Sequence, residues 1–329
     1  MRAASFIINK LMWAWLIIFG LLAYAVPRPF LWLHNWVTYL LGAVILVMSL
    51  TLTMPALGNV FRRPRALIAG FVIKWITVPL AGLAAAHLVY ASQPLLAAGT
   101  ILDGSTPAGV SSNLFTYIGH GSVALAVSLT FIHTVLSPLL TPAFTAAWAS
   151  KYVPVSFVSL LIQMVELVLV PVALGLAIRY GVGEARIRKA EPVLPMISAI
   201  LLYAIELGLI SPANAVIAKN LHWIPVVTVT TTCLILVNLA VAYGLARLLR
   251  TTERQARAIM FDTGVYNSGL GAVLAATNFG AFAALPALMN ATMNLIVGAI
   301  LASILQNDPT ARDEDESADT AAAAARTAP

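Results

Sequence analysis

Two short polar stretches interrupt long apolar segments, and their residues are the strongest candidates for binding chemistry. The first covers residues 104–113 and reads GSTPAGVSSN, and the second covers residues 262–269 and reads DTGVYNSG. Lipid leaves backbone N–H and C=O groups without partners, so such a break must be buried in protein or line a watery cavity. Two breaks at matching positions in two halves of a chain are typical of the binding site of a secondary transporter.

A helix that begins after such a break offers free backbone N–H groups and the positive end of its dipole, which together attract an anion. The carbonyl ends of the preceding half-helices suit a cation. The two asparagines of the last apolar segment, spaced i, i+4, either line the same cavity or link helices. The predicted residues for binding a small anion are Val110, Ser111, Asn267, Ser268, Asn290 and Asn294.

Charged side chains inside apolar segments are candidates for function, because each costs roughly 2.5–3.5 kcal/mol at the centre of a membrane helix. The chain has five: Lys74, Asp103, Glu166, Glu206 and Asp262. Lys74 is expected to pair with Asp262, or with Asp103 as second choice, and the alternative is that it snorkels to an interface. Glu166 and Glu206 lie in unbroken segments and are weaker candidates for binding substrate or protons.

The elements that position these residues are expected to be membrane-spanning helices. The chain is 60% hydrophobic and only 10% charged, with a mean hydropathy of +0.90, whereas a soluble domain is about 25% charged. Apolar runs of about 20 residues are long enough to cross the hydrocarbon core. Ten occur, at approximately 12–26, 36–54, 66–90, 95–118, 121–147, 155–180, 193–211, 223–249, 255–278 and 284–305.

The predicted fold is therefore an all-α membrane protein with ten transmembrane helices in two sets of five. Because each set has an odd number of helices, the second set has the opposite orientation in the membrane to the first. The first repeat covers 1–150 and the second 151–305, while 306–329, with its DEDES run and alanines, is predicted to be a disordered cytoplasmic tail. Of 19 Lys and Arg residues, fifteen lie on the side of the N-terminus and three on the other, which places both termini in the cytoplasm.

Other functional classes have little support in the sequence. The net charge of +6 follows the membrane topology and does not form a patch for nucleic acid. An intramembrane enzyme would need a nucleophile–base pair or a metal cluster, and neither motif occurs. Cys233 is the single cysteine and lies inside a span, which excludes a disulfide framework. We expect no cofactor and no catalytic residue, and the sequence leaves the oligomeric state open.

The residues around the breaks resemble the bile acid:sodium symporter family. The similarity lies in PAGVSSNLFTYIGHGSVALAVSLTFIHTVLSPLLTP (107–142), GVYNSGLGAVLAA (264–276) and SLTL (49–52). It implies a panel domain of spans 1, 2, 6 and 7 beside a core domain in which two broken helices cross. Family members carry bile acids, pantoate-like acids and other organic anions, usually with two sodium ions. The resemblance therefore implies a secondary active transporter of a small or amphipathic organic anion, with alternating access around helices 4 and 9, in a bacterial inner membrane.

The first sodium site of the family is largely preserved. Ser112, Asn113 and Thr130 match its pattern, whereas Ala126 replaces a ligand serine. The acidic residue shared by both sites is Asp262, one methylene shorter than the usual glutamate. The resemblance thus implies a sodium site formed by these matching residues and Asp262.

The second sodium site is altered, because Lys74 and Tyr266 replace two family glutamines. The His-Asn pair that some relatives use near substrate becomes Asn294-Leu295. An ammonium offers donors but no acceptor and repels a metal cation. Our hypothesis is that Lys74 replaces the second sodium ion and pairs with Asp262. The alternative is a sodium-independent organic anion transporter, either proton-coupled or a uniporter.

Overall fold

The computed structural model describes residues 12–50, 64–190, 193–308 and 310, and these residues form helices without any strand. The helices are α1 (Met12–Ala25), α2 (Val37–Ser49), α3 (Pro64–Leu88), α4 (Pro94–Gly104), α5 (Ser111–Ile118), α6 (Val123–Ala149), α7 (Phe157–Met164), α8 (Val170–Val182), α9 (Glu184–Ala190), α10 (Leu194–Lys219), α11 (Trp223–Leu248), α12 (Glu253–Gly264), α13 (Ser268–Phe279) and α14 (Leu285–Gln306). Short 3₁₀ segments precede α2 (Arg28–Trp36) and α14 (Ala281–Ala284), and a π-helical turn (Val165–Leu169) joins α7 to α8.

Seven helical segments in this part of the chain are long and apolar enough to cross a membrane. They are Arg28–Ser49, Pro64–Leu88, Val123–Ala149, Phe157–Val182, Leu194–Lys219, Trp223–Leu248 and Ala281–Gln306. Large apolar side chains such as Leu21, Val229 and Ile304 remain more than 60% exposed, as expected of a surface that faces lipid. The protein is therefore an integral membrane protein.

The two predicted broken spans are each divided into a pair of shorter helices. α4 ends at Gly104 and α5 begins at Ser111, while α12 ends at Gly264 and α13 begins at Ser268. The breaks are thus shorter than the polar stretches that predicted them. Serine and asparagine are good helix-starting residues, so the polar residues at the end of each stretch belong to the following half-helix.

Close helix contacts join α10 to the N-terminal helices. A Cβ at Gly208 of α10 would lie 2.7 Å from Val37 Cγ2 and 3.1 Å from the Leu33 carbonyl oxygen. Likewise, a Cβ at Gly175 of α8 would lie 2.6 Å from Ser49 Cβ, at the end of α2. Small residues allow such close backbone approach between membrane helices. As a result, α10 packs against α1 and α2, and α2 packs against α8.

The start of the predicted tail is attached to the helical body. α14 ends at Gln306, and the fully buried Arg257 donates to Asp308 Oδ2 at 2.6 Å and to Thr310 Oγ1 at 2.9 Å. Arg257 also donates to the carbonyl oxygens of Gly119 (2.9 Å) and Leu305 (3.0 Å). It therefore joins the ends of several core helices. The rest of the predicted tail, 311–329, and the last two residues of the SLTL motif lie outside the described residues.

Candidate functional site at the helix crossing

The two breaks meet and hydrogen-bond to each other. Gly109 N–H donates to the Val265 carbonyl at 2.9 Å, and Asn267 N–H donates to the Pro107 carbonyl at 2.8 Å. A Cβ at Gly109 would lie only 3.1 Å from the carbonyl oxygen of Tyr266, so glycine permits this approach. These two hydrogen bonds between the breaks provide partners for backbone groups that have none within their own broken helix.

Both half-helices that follow the crossing present their N-termini to one cavity. At the start of α13, Asn267 Oδ1 accepts a hydrogen bond from Leu270 N–H at 3.2 Å and caps the helix. The N–H groups of Ser111 and Gly269 donate to no backbone carbonyl in the part of the chain that the structure describes. Both residues line the cavity. Two helix N-termini therefore face a shared space that suits an anion.

The cavity has a volume of about 470 Å³, within the range of roughly 300–1,000 Å³ that is usual for small-molecule sites. Five of the six predicted substrate residues line it: Val110, Ser111, Asn267, Ser268 and Asn294. Asn290 is the exception, because its side chain is fully buried and donates to Asp103 Oδ2 at 2.6 Å. Asn294 also donates to the Tyr266 carbonyl at 3.2 Å. Of the two alternatives for these asparagines, Asn290 links helices, whereas Asn294 both links helices and faces the cavity.

The residues predicted for the first sodium site are brought together by α5, α6 and α12. Thr130 Oγ1 lies 3.2 Å from Asn113 Oδ1 and 3.1 Å from Asp262 Oδ1. A hydroxyl has one proton and cannot donate to both oxygens at once. Ser112 Oγ is buried and has no hydrogen-bond partner among the described residues. Clustered oxygen atoms of this kind, including a carboxylate, are what a hard cation requires.

His133 of α6 also belongs to this cluster. His133 Nε2 lies 2.9 Å from Asp262 Oδ2, and His133 Nδ1 accepts a hydrogen bond from Trp75 Nε1 at 2.8 Å. The indole N–H can only donate, so Nδ1 carries no proton and the proton lies on Nε2. Trp75 thus fixes the neutral tautomer of His133 whose N–H lies beside Asp262. The available sequence signal was the position of His133, three residues after Thr130 on α6.

Lys74 is buried at the centre of α3, with 1% of its surface exposed, so it does not snorkel to an interface. The predicted direct pair with Asp262 is absent: Nζ has no hydrogen-bond partner among the described residues, and Thr130 and His133 contact the two carboxylate oxygens instead. Nζ lies 5.3 Å from the ring centroid of Tyr266, within the range of cation–π contact. The two residues that the resemblance places at the altered second sodium site, Lys74 and Tyr266, are therefore neighbours in space.

Tyr266 reaches this position because α12 ends at Gly264, so Tyr266 belongs to the crossing and does not continue a helical face from Asp262. Asp103 is a second buried carboxylate nearby, and it packs so closely on α13 that a Cβ at Gly271 would lie 2.6 Å from its Oδ1. Of the remaining charged candidates, Glu166 is exposed on the π-helical turn, whereas Glu206 lines the cavity.

Crossed broken helices, opposed helix N-termini and a buried oxygen cluster define a membrane transport protein. A model of the sodium bile acid symporter family matches residues 38–220. The chain is 32% identical over 309 residues to the probable sodium/metabolite cotransporter BASS1 of Arabidopsis thaliana chloroplasts, covering 92% of this chain and 74% of the relative. It is 29% identical over 293 residues to the uncharacterized sodium-dependent transporter YocS of Bacillus subtilis, covering 88% of each chain. The chain therefore belongs to the sodium bile acid symporter family, and it is a secondary transporter and not an enzyme.

Proposed function

We propose that the protein carries a small or amphipathic organic anion across the membrane by alternating access around the two broken helices, in symport with sodium. The observation that carries this proposal is the shared cavity into which the N-termini of α5 and α13 both point. An anionic group seated there would accept hydrogen bonds from Ser111 and Gly269 and interact with both helix dipoles. The relatives named above as sodium-dependent support the choice of coupling ion.

One sodium ion would bind to Ser112, Asn113, Thr130 and Asp262. The unpartnered Ser112 hydroxyl and the doubly approached Thr130 hydroxyl fit a cation between them. The site joins α12 to α5 and α6, so a bound cation would stabilise the crossing and with it the anion site. Ion and substrate binding would then favour each other, which is the physical basis of symport.

Lys74 would take the place of a second sodium ion. Its ammonium lies over the face of Tyr266, and neither side chain offers a carbonyl or carboxylate oxygen to a metal cation. Without a direct pair, Lys74 would act on Asp262 and Asp103 through space. A fixed cation at the crossing would hold part of the site together in every state of the transport cycle.

The family fold and the charge distribution suggest an orientation. We propose inverted repeats over 1–150 and 151–305, with each repeat containing one broken helix, and both termini in the cytoplasm of a bacterial cell. The cavity is lined by Met48 near the end of α2, Leu194 at the start of α10 and Ala299 in α14, all on the side of the termini. The structure would then correspond to an inward-facing state.

A sodium-independent organic anion transporter is the second candidate. Both oxygens of Asp262 are already approached by protein donors, Thr130 and His133, and Ala126 lacks the family's ligand hydroxyl. A carboxylate with protein groups close to both of its oxygens has less need of a metal ion. In that case coupling would use protons, or transport would be passive.

Thermal stability of the purified protein across a sodium titration, with potassium holding the ionic strength constant, distinguishes the two candidates. A ligand that binds only the folded state raises stability by mass action. A saturable rise specific to sodium, lost in Asp262→Asn, supports sodium symport. No sodium-specific rise favours the second candidate. Counterflow into proteoliposomes without an ion gradient then separates uniport from proton coupling.

A further inference from the structure

The wall of the cavity that is formed by α10 contains a carboxyl group. Glu206 of α10 is the one charged residue among the described residues that line the cavity, and its surroundings on that wall include Leu202, Ile205 and Leu209. The residue is 8% exposed, and Oε2 has no hydrogen-bond partner in the part of the chain that the structure describes. On the neighbouring α1, a Cβ at Gly20 would lie 3.3 Å from Oε1, so a glycine leaves room for the carboxyl.

A carboxyl in such surroundings is costly unless something compensates it. Burial of an unpaired polar group costs several kcal/mol, and ionisable groups inside membrane proteins commonly mark a substrate or ion path. Glu206 belongs neither to the oxygen cluster around Asp262 nor to the Lys74 environment. A group of the substrate that pairs with this carboxyl would compensate the cost of its burial. Such a partner would explain why a carboxyl lies on the cavity wall.

The position of Glu206 relative to the anion site follows from the packing of α10. A Cβ at Gly269, whose N–H points into the cavity, would lie 3.3 Å from Leu202 Cδ2. Leu202 and Glu206 are spaced i, i+4 and share a helix face, with an axial separation of about 6 Å. The anion-attracting end of the cavity and the carboxyl are therefore separated by on the order of one helical turn.

We propose that Glu206 binds an ammonium group of the substrate, and that the transported compound is a small amphipathic amino acid with its amine distant from its carboxylate. This inference rests on the proposed function and refines its substrate class: the carboxylate is the anionic group of the proposed site, whereas the whole molecule is a zwitterion. The carboxylate would lie at Ser111 and Gly269 and the amine at Glu206, with a short apolar chain between them. A charge-assisted hydrogen bond is stronger than a neutral one, whereas a dianion would bring like charges together at Glu206.

Three linear five-carbon acids test the proposal: 5-aminopentanoate, pentanoate and glutarate. Their binding to the full-length, detergent-purified protein is measured from the ligand-dependent shift in melting temperature, at fixed sodium. For the wild type we expect 5-aminopentanoate to bind about 10-fold more tightly than pentanoate, and glutarate to bind most weakly. In Glu206→Gln the preference for the amine should disappear, and glutarate should bind about as well as pentanoate. Glu166→Gln, which changes an exposed carboxyl on the π-helical turn, is the matched control and should behave like the wild type.

The outcomes separate this inference from the proposed function. Equal binding of pentanoate and 5-aminopentanoate to the wild type, or an amine preference that persists in Glu206→Gln, overturns the role of Glu206 and leaves organic anion transport intact. The absence of any shift with all three acids contradicts the anion site itself, and the inference fails with it. An unchanged sodium response in Glu206→Gln establishes that the variant is folded.

Discussion

Replacing Lys74 by glutamine should add one sodium ion to the stoichiometry of binding. The ammonium is 1% exposed and has no acceptor within the described residues, and Tyr266 provides only the face of its ring. Glutamine supplies an amide oxygen at the position where the family resemblance implies one, and it removes the charge that repels a second cation. Asp262 and Asp103 would then attract sodium in place of the lost ammonium.

The magnitude follows from mass action. Well above its dissociation constant, each bound ion adds about 1.4 kcal/mol to the free energy of unfolding for every tenfold rise in sodium concentration. A wild type with one sodium site should gain about 1.4 kcal/mol per tenfold change, and Lys74→Gln should gain about 2.8 kcal/mol.

The assay compares melting temperatures over sodium series for the wild type, Lys74→Gln and Lys74→Met, with potassium as the balancing ion. Methionine removes the charge without supplying an oxygen, so its slope should stay at the wild-type value. The slope is the change in melting temperature for a tenfold change in sodium concentration. The ratio of the slopes of two variants gives the relative number of bound ions, so the unfolding entropy need not be known. If Lys74→Gln keeps the wild-type slope, or Lys74→Met doubles it, the assignment of Lys74 as a resident cation is refuted.

Three further predictions concern the first ion site and the packing of the core. Thr130→Val should abolish sodium-dependent stabilisation while Thr130→Ser preserves it, as measured by the same titration. Gly99→Ala should destabilise the protein by about 3 kcal/mol or more, because a Cβ there would overlap the 3₁₀ backbone before α14. Gly244 has nothing within 4 Å of a Cβ, so Gly244→Ala should stabilise α11 by up to about 1 kcal/mol. Thermal unfolding of the two variants tests both expectations. Arg257→Met should lower the free energy of unfolding by about 3–5 kcal/mol, because it leaves buried acceptors without their donor. Arg247 forms an exposed salt bridge, so Arg247→Met should lower it by less than about 1 kcal/mol in the same measurement.

Much of this architecture could be predicted from the sequence, because a membrane restricts what an apolar chain can do. The two polar stretches had to be breaks, and the structure places their residues at one crossing. Serine and asparagine after Gly109 and before Gly269 correctly indicated where half-helices begin. The ten-helix inverted repeat and the residues of the ion and substrate sites remain predictions.

Side-chain partners were harder to predict, because they depend on which helix faces meet. Sequence reasoning paired Lys74 with Asp262, the carboxylate that opens the second polar stretch. In the structure, His133 and Thr130 contact that carboxylate instead. The hydrogen bond from Trp75 that fixes the proton on His133 joins residues 58 positions apart, and no local pattern predicts it. Glu206 had no signal beyond its charge, since its meaning comes from the cavity wall on which it lies.

The proposed roles of Lys74 and Glu206 have a common consequence for the energetics of transport. A relative that carries a monoanion with two sodium ions moves one net positive charge per cycle, and the membrane potential contributes about 2.3 kcal/mol per 100 mV for that charge. With Lys74 in place of one ion, a monoanion and a single sodium ion would move no net charge, and the potential would contribute nothing. A zwitterion held by Glu206 restores the balance, since a neutral substrate with one sodium ion again carries one positive charge. The proposed roles of Lys74 and Glu206 would therefore compensate each other in net charge, and transport would remain responsive to the membrane potential.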